Sequence, residues 1–239
     1  MSQPIKIGRN VIIEDNVTFG ENVTIGHNVI IYEGTEIGSN VIIQDNAVIG
    51  KQPTRAKASI LPNTKQLPPA KLGSEVTIGT SAIIYANCII SDNVFVADLA
   101  TIRERVEIGE YTIIGRGVAV ENDCVVGKRC KLETNCYITA YSEIGDYVFI
   151  APCVVTTNDN YMARSRERFD KFKGVTIKTG GRIGANATIL PGKVIEEDGT
   201  VAAASIVSKD VPREILVVGT PAKELRKVPE NQLLRNQER

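Results

Sequence analysis

The chain has 239 residues, with 28 basic and 28 acidic side chains and a single histidine. This balance leaves no basic excess of the kind that grips a phosphate backbone, so a nucleic-acid partner is not expected. No apolar run is long enough to cross a bilayer, and the first residues lack a basic-then-apolar leader layout, so the expectation is a cytoplasmic protein with no membrane partner.

From Ile5 the sequence repeats every six residues. First positions are small or β-branched (Ile5, Val11, Val17, Val23, Val29, Thr35, Val41, Ala47), and a larger apolar residue follows two places later (Ile7, Ile13, Phe19, Ile25, Ile31, Ile37, Ile43, Ile49). Asn10, Asn16, Asn22, Asn28, Asn40 and Asn46 close six of these eight hexads. A short strand shows alternate residues to one side, and Asn and Gly tolerate the positive φ that a sharp corner needs. Each hexad is therefore one wall and one corner. Three hexads close a triangular coil of eighteen residues, stacked about 4.8 Å from the next by backbone hydrogen bonds. An amphipathic helix, with its period of 3.6, fits neither the spacing nor the glycine content.

The rhythm stops at Gln52. Residues 53–75, with Pro53, Pro62, Pro68 and Pro69, read as an excursion loop. Hexads resume at Val76, and a second excursion, rich in arginine and lysine, spans residues 160–174. They return at Val175 and end at Pro212. The count is eight, fourteen and six hexads. Residues 1–222 are thus expected to form one β-helical domain, and residues 223–239 a short polar helix or tail in which Leu225, Val228, Leu233 and Leu234 cap the solenoid. Four of the five cysteines, Cys88, Cys124, Cys130 and Cys136, fall on inward first positions, and Cys153 does not. They form no C-x-x-C pair, and their odd number does not suit a disulfide framework. An axial metal site on three of them would compete with Val126, Leu132 and Ile138 for the interior, so no metal is expected.

Residues eighteen apart stack on one corner. One corner carries the columns Tyr85, Arg103, Glu121, Thr139, Thr157; then Ala86, Glu104, Asn122, Ala140, Asn158; then Asn87, Arg105, Asp123, Tyr141, Asp159. The other two corners are mostly small. The varied corner, from which the second excursion departs, is the expected place for chemistry.

The sequence resembles the hexapeptide-repeat acyltransferases over nearly all of residues 5–222, most clearly in IGANATILPG (Ile183 to Gly192), SIVSKDVP (Ser205 to Pro212) and VVGTPAK (Val217 to Lys223). VVTTNDNYMARSRERF (Val154 to Phe169), VADLATIRERVEIG (Val96 to Gly109) and IIGRGVAVEN (Ile113 to Asn122) are similar to segments of enzymes that acylate the amine of a nucleotide-linked amino-deoxysugar. The resemblance implies an all-β, left-handed parallel β-helix assembled as a homotrimer, with acetyl-CoA or another acyl-CoA as co-substrate and a dTDP- or UDP-linked amino sugar as acceptor. It also implies Asn158 and Asp159 at the acceptor amine, with Glu121 beside them as a candidate catalytic group. Asp98, Arg103, Tyr85 and Arg164 are expected as further acceptor contacts. Gly184, Ala185, Ala202, Ala203 and Ala204 would offer backbone to the pantetheine arm, and Lys209 a charge to the phosphates.

Two departures bear on mechanism. Many such enzymes use a mid-chain histidine as base, whereas this chain has only His27, read as a turn residue; and the glutamate that some amino-sugar relatives place near Ala140 is absent. A sugar amine is already partly deprotonated near neutral pH, so Asp159 or Glu121 is expected to suffice for the proton. A γ-class carbonic anhydrase, which needs three histidines, is excluded. A non-catalytic solenoid scaffold and an O-acetyltransferase of a small sugar are the competing readings.

Overall fold

A computed structural model describes residues 5–57, 59 and 65–237; Pro62 of the first excursion and the last two residues of the tail lie outside them. Among the described residues the strands form three sheets of twelve, ten and nine, one for each wall of a prism. The first wall starts at Lys6–Ile7, the second at Ile12–Ile13 and the third at Thr18–Phe19. Pairing is parallel throughout except for the last strand.

The hexad dictates this arrangement. Its first and third residues point inward, as at Val94 and Val96, and the residue between them points out, as does Phe95 at 45% exposure. Inside, Ile78, Ile84, Ile90, Ile102, Ile108 and Ile114 are fully buried in one continuous core. Corners place one residue near φ +60°. Asn10, Asn16, Asn22, Asn28, Asn40 and Asn46 do so, as the sequence predicts, and the side chains of all but Asn16 also pair between coils, for example Asn22 Nδ2 to Asn40 Oδ1 at 2.9 Å. Later corners put Leu99, Tyr111, Arg105 and Tyr141 in the same region, so backbone pairing overrides the usual preference there. His27 is a corner residue as expected: its Nδ1 accepts the Arg9 N–H at 2.8 Å.

The first excursion is shorter than expected. Ala70 is fully buried, and Lys71–Leu72 is a strand between Glu36–Ile37 and Ile89–Ile90, so the loop ends at Pro69 and an additional hexad precedes Val76. Lys71 is simply the outward residue of that hexad, with Nζ 2.9 Å from Glu36 Oε1. After the second excursion the buried inward residues resume at Val175, and a short 3-10 turn, Arg166–Asp170, precedes it.

The end of the chain also differs from expectation. In place of a helix or loose tail after residue 222, Ala222–Lys227 folds back antiparallel on Ile215–Gly219, and only two three-residue 3-10 turns follow. Val228 and Leu233 are buried and Leu234 donates its N–H to Asp198, whereas Leu225 stays exposed. The end is thus covered by a hairpin with Val228 and Leu233 rather than by a helix.

Candidate active site

The second corner, between the second and third walls, carries the polar columns in the predicted order. Arg103 lies over the Tyr85 ring at 4.7 Å, donates from Nε to Glu104 Oε2 at 2.9 Å, and reaches Glu121 at 3.6 Å. Glu104 has no exposed side-chain surface; Arg55 from the first excursion also binds it, Nη2 to Oε1, at 2.7 Å. Arg105 pairs with Asp123 through two bonds of 2.5 and 2.8 Å, and Asn122 donates to the same carboxylate. Burial opposes the charge of Asp123, yet these bonds hold its pKa below the ordinary value. Tyr85 and Arg103, expected at the acceptor, are therefore held within the wall's own ionic ladder.

A cavity of about 360 Å³ opens beside this ladder, lined by Glu121, Asn122, Tyr137, Thr139, Asn158, Arg168 and Phe172 among others. Ser59 of the first excursion also lines it. Glu121 and Asn158 are thereby brought together. Burial pushes the Glu121 carboxyl above its usual value, and the nearby Glu104 adds to this, while Arg103 and Arg55 act in the opposite direction.

Asp159 has a different setting. Its oxygens accept the N–H groups of Ala163 (3.0 Å) and Tyr161 (2.8 Å) and an Nη1 bond from Arg168 (3.2 Å). The Ala163 and Tyr161 bonds, with Arg168, hold its pKa below the ordinary carboxylate value. A carboxylate with this many donors closes the entry turn of the second excursion. Arg164 is exposed and does not line the cavity; the arginine that does is Arg168. Its ring neighbours are Phe169 at 5.1 Å and Phe172 at 5.8 Å. Loop residues carry no repeat phase, so no signal in the hexads separated Arg168 from Arg164.

Asp98 is on the first corner, where its Oδ1 accepts the Thr80 N–H. Backbone bonds run up this corner from Asp98 through Arg116, Thr134 and Pro152 to Ala185 and Ala204. The residues expected at the pantetheine arm, Gly184, Ala185, Ala202, Ala203 and Ala204, thus share the edge of Asp98 and not that of Glu121. Gly184 packs so closely on the next coil that a Cβ would overlap the Ala203 amide. Lys209 returns to the second corner, above Asn158, and lines a cavity of about 290 Å³ with Lys223 of the terminal hairpin.

The family described as bacterial transferase hexapeptide (six repeats) matches residues 4–37, 16–51, 87–122 and 123–158, together half of the chain, and the chain belongs to that family. The fold is the left-handed β-helix expected of it. Over 48 residues the chain is 52% identical to a 2,3,4,5-tetrahydropyridine-2,6-dicarboxylate N-acetyltransferase of Clostridium perfringens, 20% of each chain. A protein of Staphylococcus aureus named for acetyltransferase activity is 37% identical over 62 residues, 26% of this chain and 31% of that one. The chain therefore spans less than half the length of the curated relatives it matches. The solved UDP-N-acetylglucosamine acyltransferase of Francisella novicida shares the fold at 18% identity and a TM-score of 0.50, covering 91% of this chain and 68% of that one.

Proposed function

We propose that this protein is an N-acyltransferase that moves an acetyl or other short acyl group from acyl-CoA to the amine of a nucleotide-linked amino-deoxysugar. One observation carries the reading: Glu121, with its raised pKa, and Asn158 line one cavity on the chemically varied corner. Family membership and the names of the partial relatives support acyl transfer from a thioester.

In the reaction the acceptor nitrogen attacks the thioester carbonyl, an N–C bond forms, and the C–S bond breaks as the tetrahedral intermediate collapses. Glu121 takes the proton from the attacking amine, and the departing thiolate is the final acceptor. A carboxyl whose charge burial disfavours is the more basic of the two candidates, and Asp159 is the less basic because three donors stabilise its anion. Asn158 orients the amine, and Asp159 holds the loop.

The active unit in this reading is a homotrimer. The small-residue edge and the Glu121 edge are different corners of one prism, so a thioester held along the first reaches the second only across a neighbouring copy. Ile42, Phe95, Ile113 and Phe149, exposed by 37–45%, are outward apolar residues of the first wall, with Phe95 and Ile113 on adjacent rungs, that such a neighbour would cover. Lys209 and Lys223 supply charge for the phosphates of the donor.

The test is a free-thiol assay with acetyl-CoA and a panel of dTDP- and UDP-linked 3-amino and 4-amino deoxysugars. Thiol release that requires the amine is the expected result. No release with any amine, or release with sugar hydroxyls alone, refutes the N-acyltransferase; the former outcome favours a scaffold.

A further inference from the structure

Two charged side chains of opposite sign line the Glu121 cavity among the described residues, Glu121 and Arg168. Arg168 comes from the second excursion, yet only 13% of its side chain is exposed. Phe169 and Phe172 flank its guanidinium, and Nη1 donates to Asp159 Oδ2 at 3.2 Å. That bond uses one of five N–H donors. The same carboxylate also accepts the Tyr161 and Ala163 amides, and of the guanidinium only Nη1 reaches it. A guanidinium fixed along one edge, shielded by aromatic rings and bordering a cavity suits a multidentate oxyanion better than a single carboxylate. Glu121, in turn, suits an amine.

We propose that Arg168 is the anion-binding residue of this cavity and takes the diphosphate of the acceptor, so that the acceptor lies with phosphate toward Arg168 and amine toward Glu121. As a statement about the acceptor this rests on the reading above; as an anion site it stands separately. Arg168 then sets specificity by distinguishing a nucleotide-linked amino sugar from the free sugar.

Calorimetry with UDP and with dTDP, on the full chain without acyl-CoA, tests the site. Arg168→Gln keeps a hydrogen-bond donor for Asp159 and removes the charge, while Arg168→Lys keeps the charge and loses the fork; equal melting temperatures establish that both fold. Affinity is expected to fall about tenfold or more in Arg168→Gln and only severalfold in Arg168→Lys. Acceptor KM should rise in parallel, with the KM for acyl-CoA unchanged and the preference for nucleotide-linked over free amino sugar lost. Unchanged affinity in Arg168→Gln, or equal losses in both variants, overturns the proposal and leaves Arg168 a loop-holding residue. Charge-dependent diphosphate binding without transfer to any amine would support the anion site while refuting the N-acyltransferase. Transfer by Arg168→Gln with unchanged acceptor KM would do the reverse.

Discussion

Glu121 and Asp159 are both carboxylates of one corner, separated in sequence by two coils plus two residues, and their surroundings drive them in opposite directions. Glu121→Gln is expected to lower kcat/KM by roughly a hundredfold. Asp159→Asn should act mainly by raising the acceptor KM, since it loosens the turn that carries Asn158 and Arg168. Steady-state kinetics separates the two, and equal effects on kcat would refute the division of roles. The pH profile follows from the same setting. A base is active when deprotonated, so activity is lost as pH falls through the Glu121 pKa, which lies above the ordinary 4.5; Glu121→Gln should abolish that acid limb and leave only the amine's own titration. Stability responds in the same direction at Asp123, although its folded pKa is lowered rather than raised. Its contribution is present above the unfolded value and disappears as pH falls through the folded one. The stacked columns made Glu121 and Asn158 legible in the sequence because phase alone fixed their edge. Arg168 and the full burial of Glu104 were not legible, since both depend on how aperiodic loops fold back.

At the scale of elements, the excursions are fastened to the prism, the first by an ion pair and the second by backbone bonds. Arg55 ties the first to Glu104, and Lys173 stitches the second between Asn158 and Gly192 by backbone bonds. Removing a buried partner leaves uncompensated charge behind, so Glu104→Ala, which strands Arg55 and leaves Arg103 only its longer contact with Glu121, should cost about 3–5 kcal/mol in denaturant unfolding. A change below about 1 kcal/mol would mean that water already reaches the cluster. The boundary of the first excursion was misread because Pro68 and Pro69 mask the hexad that starts at Ala70. In that hexad a lysine fills the outward position, where any residue compatible with solvent is accepted. The terminal hairpin was hidden for a related reason: Ala222–Lys227 is almost entirely exposed, so its sequence carries no alternation of apolar and polar residues.

For the whole molecule, six-residue periodicity determined three walls, parallel pairing and a continuous core, because every wall repeats the same inward pair. Assembly is a matter of the outward residues. Phe95→Glu together with Ile113→Glu should convert a trimer to monomers in analytical ultracentrifugation and abolish transfer, with the circular dichroism spectrum retained. A monomeric parent protein would remove the shared-edge arrangement altogether. The two ends of the prism are also unequal. At the carboxyl end Val228 and Leu233 are buried, whereas Ile7 and Ile13 of the first coil are 53% and 37% exposed. In a stack where each rung is stabilised by its neighbours, the less covered terminus unzips first. Amide exchange should therefore be fastest in the first two coils and slow toward the hairpin. Four rungs of the second wall lie between Ile12–Ile13 and Ala119–Val120 beside the cavity. Fraying can consume the leading turns as a sacrificial buffer and leave the corner of Glu121 untouched.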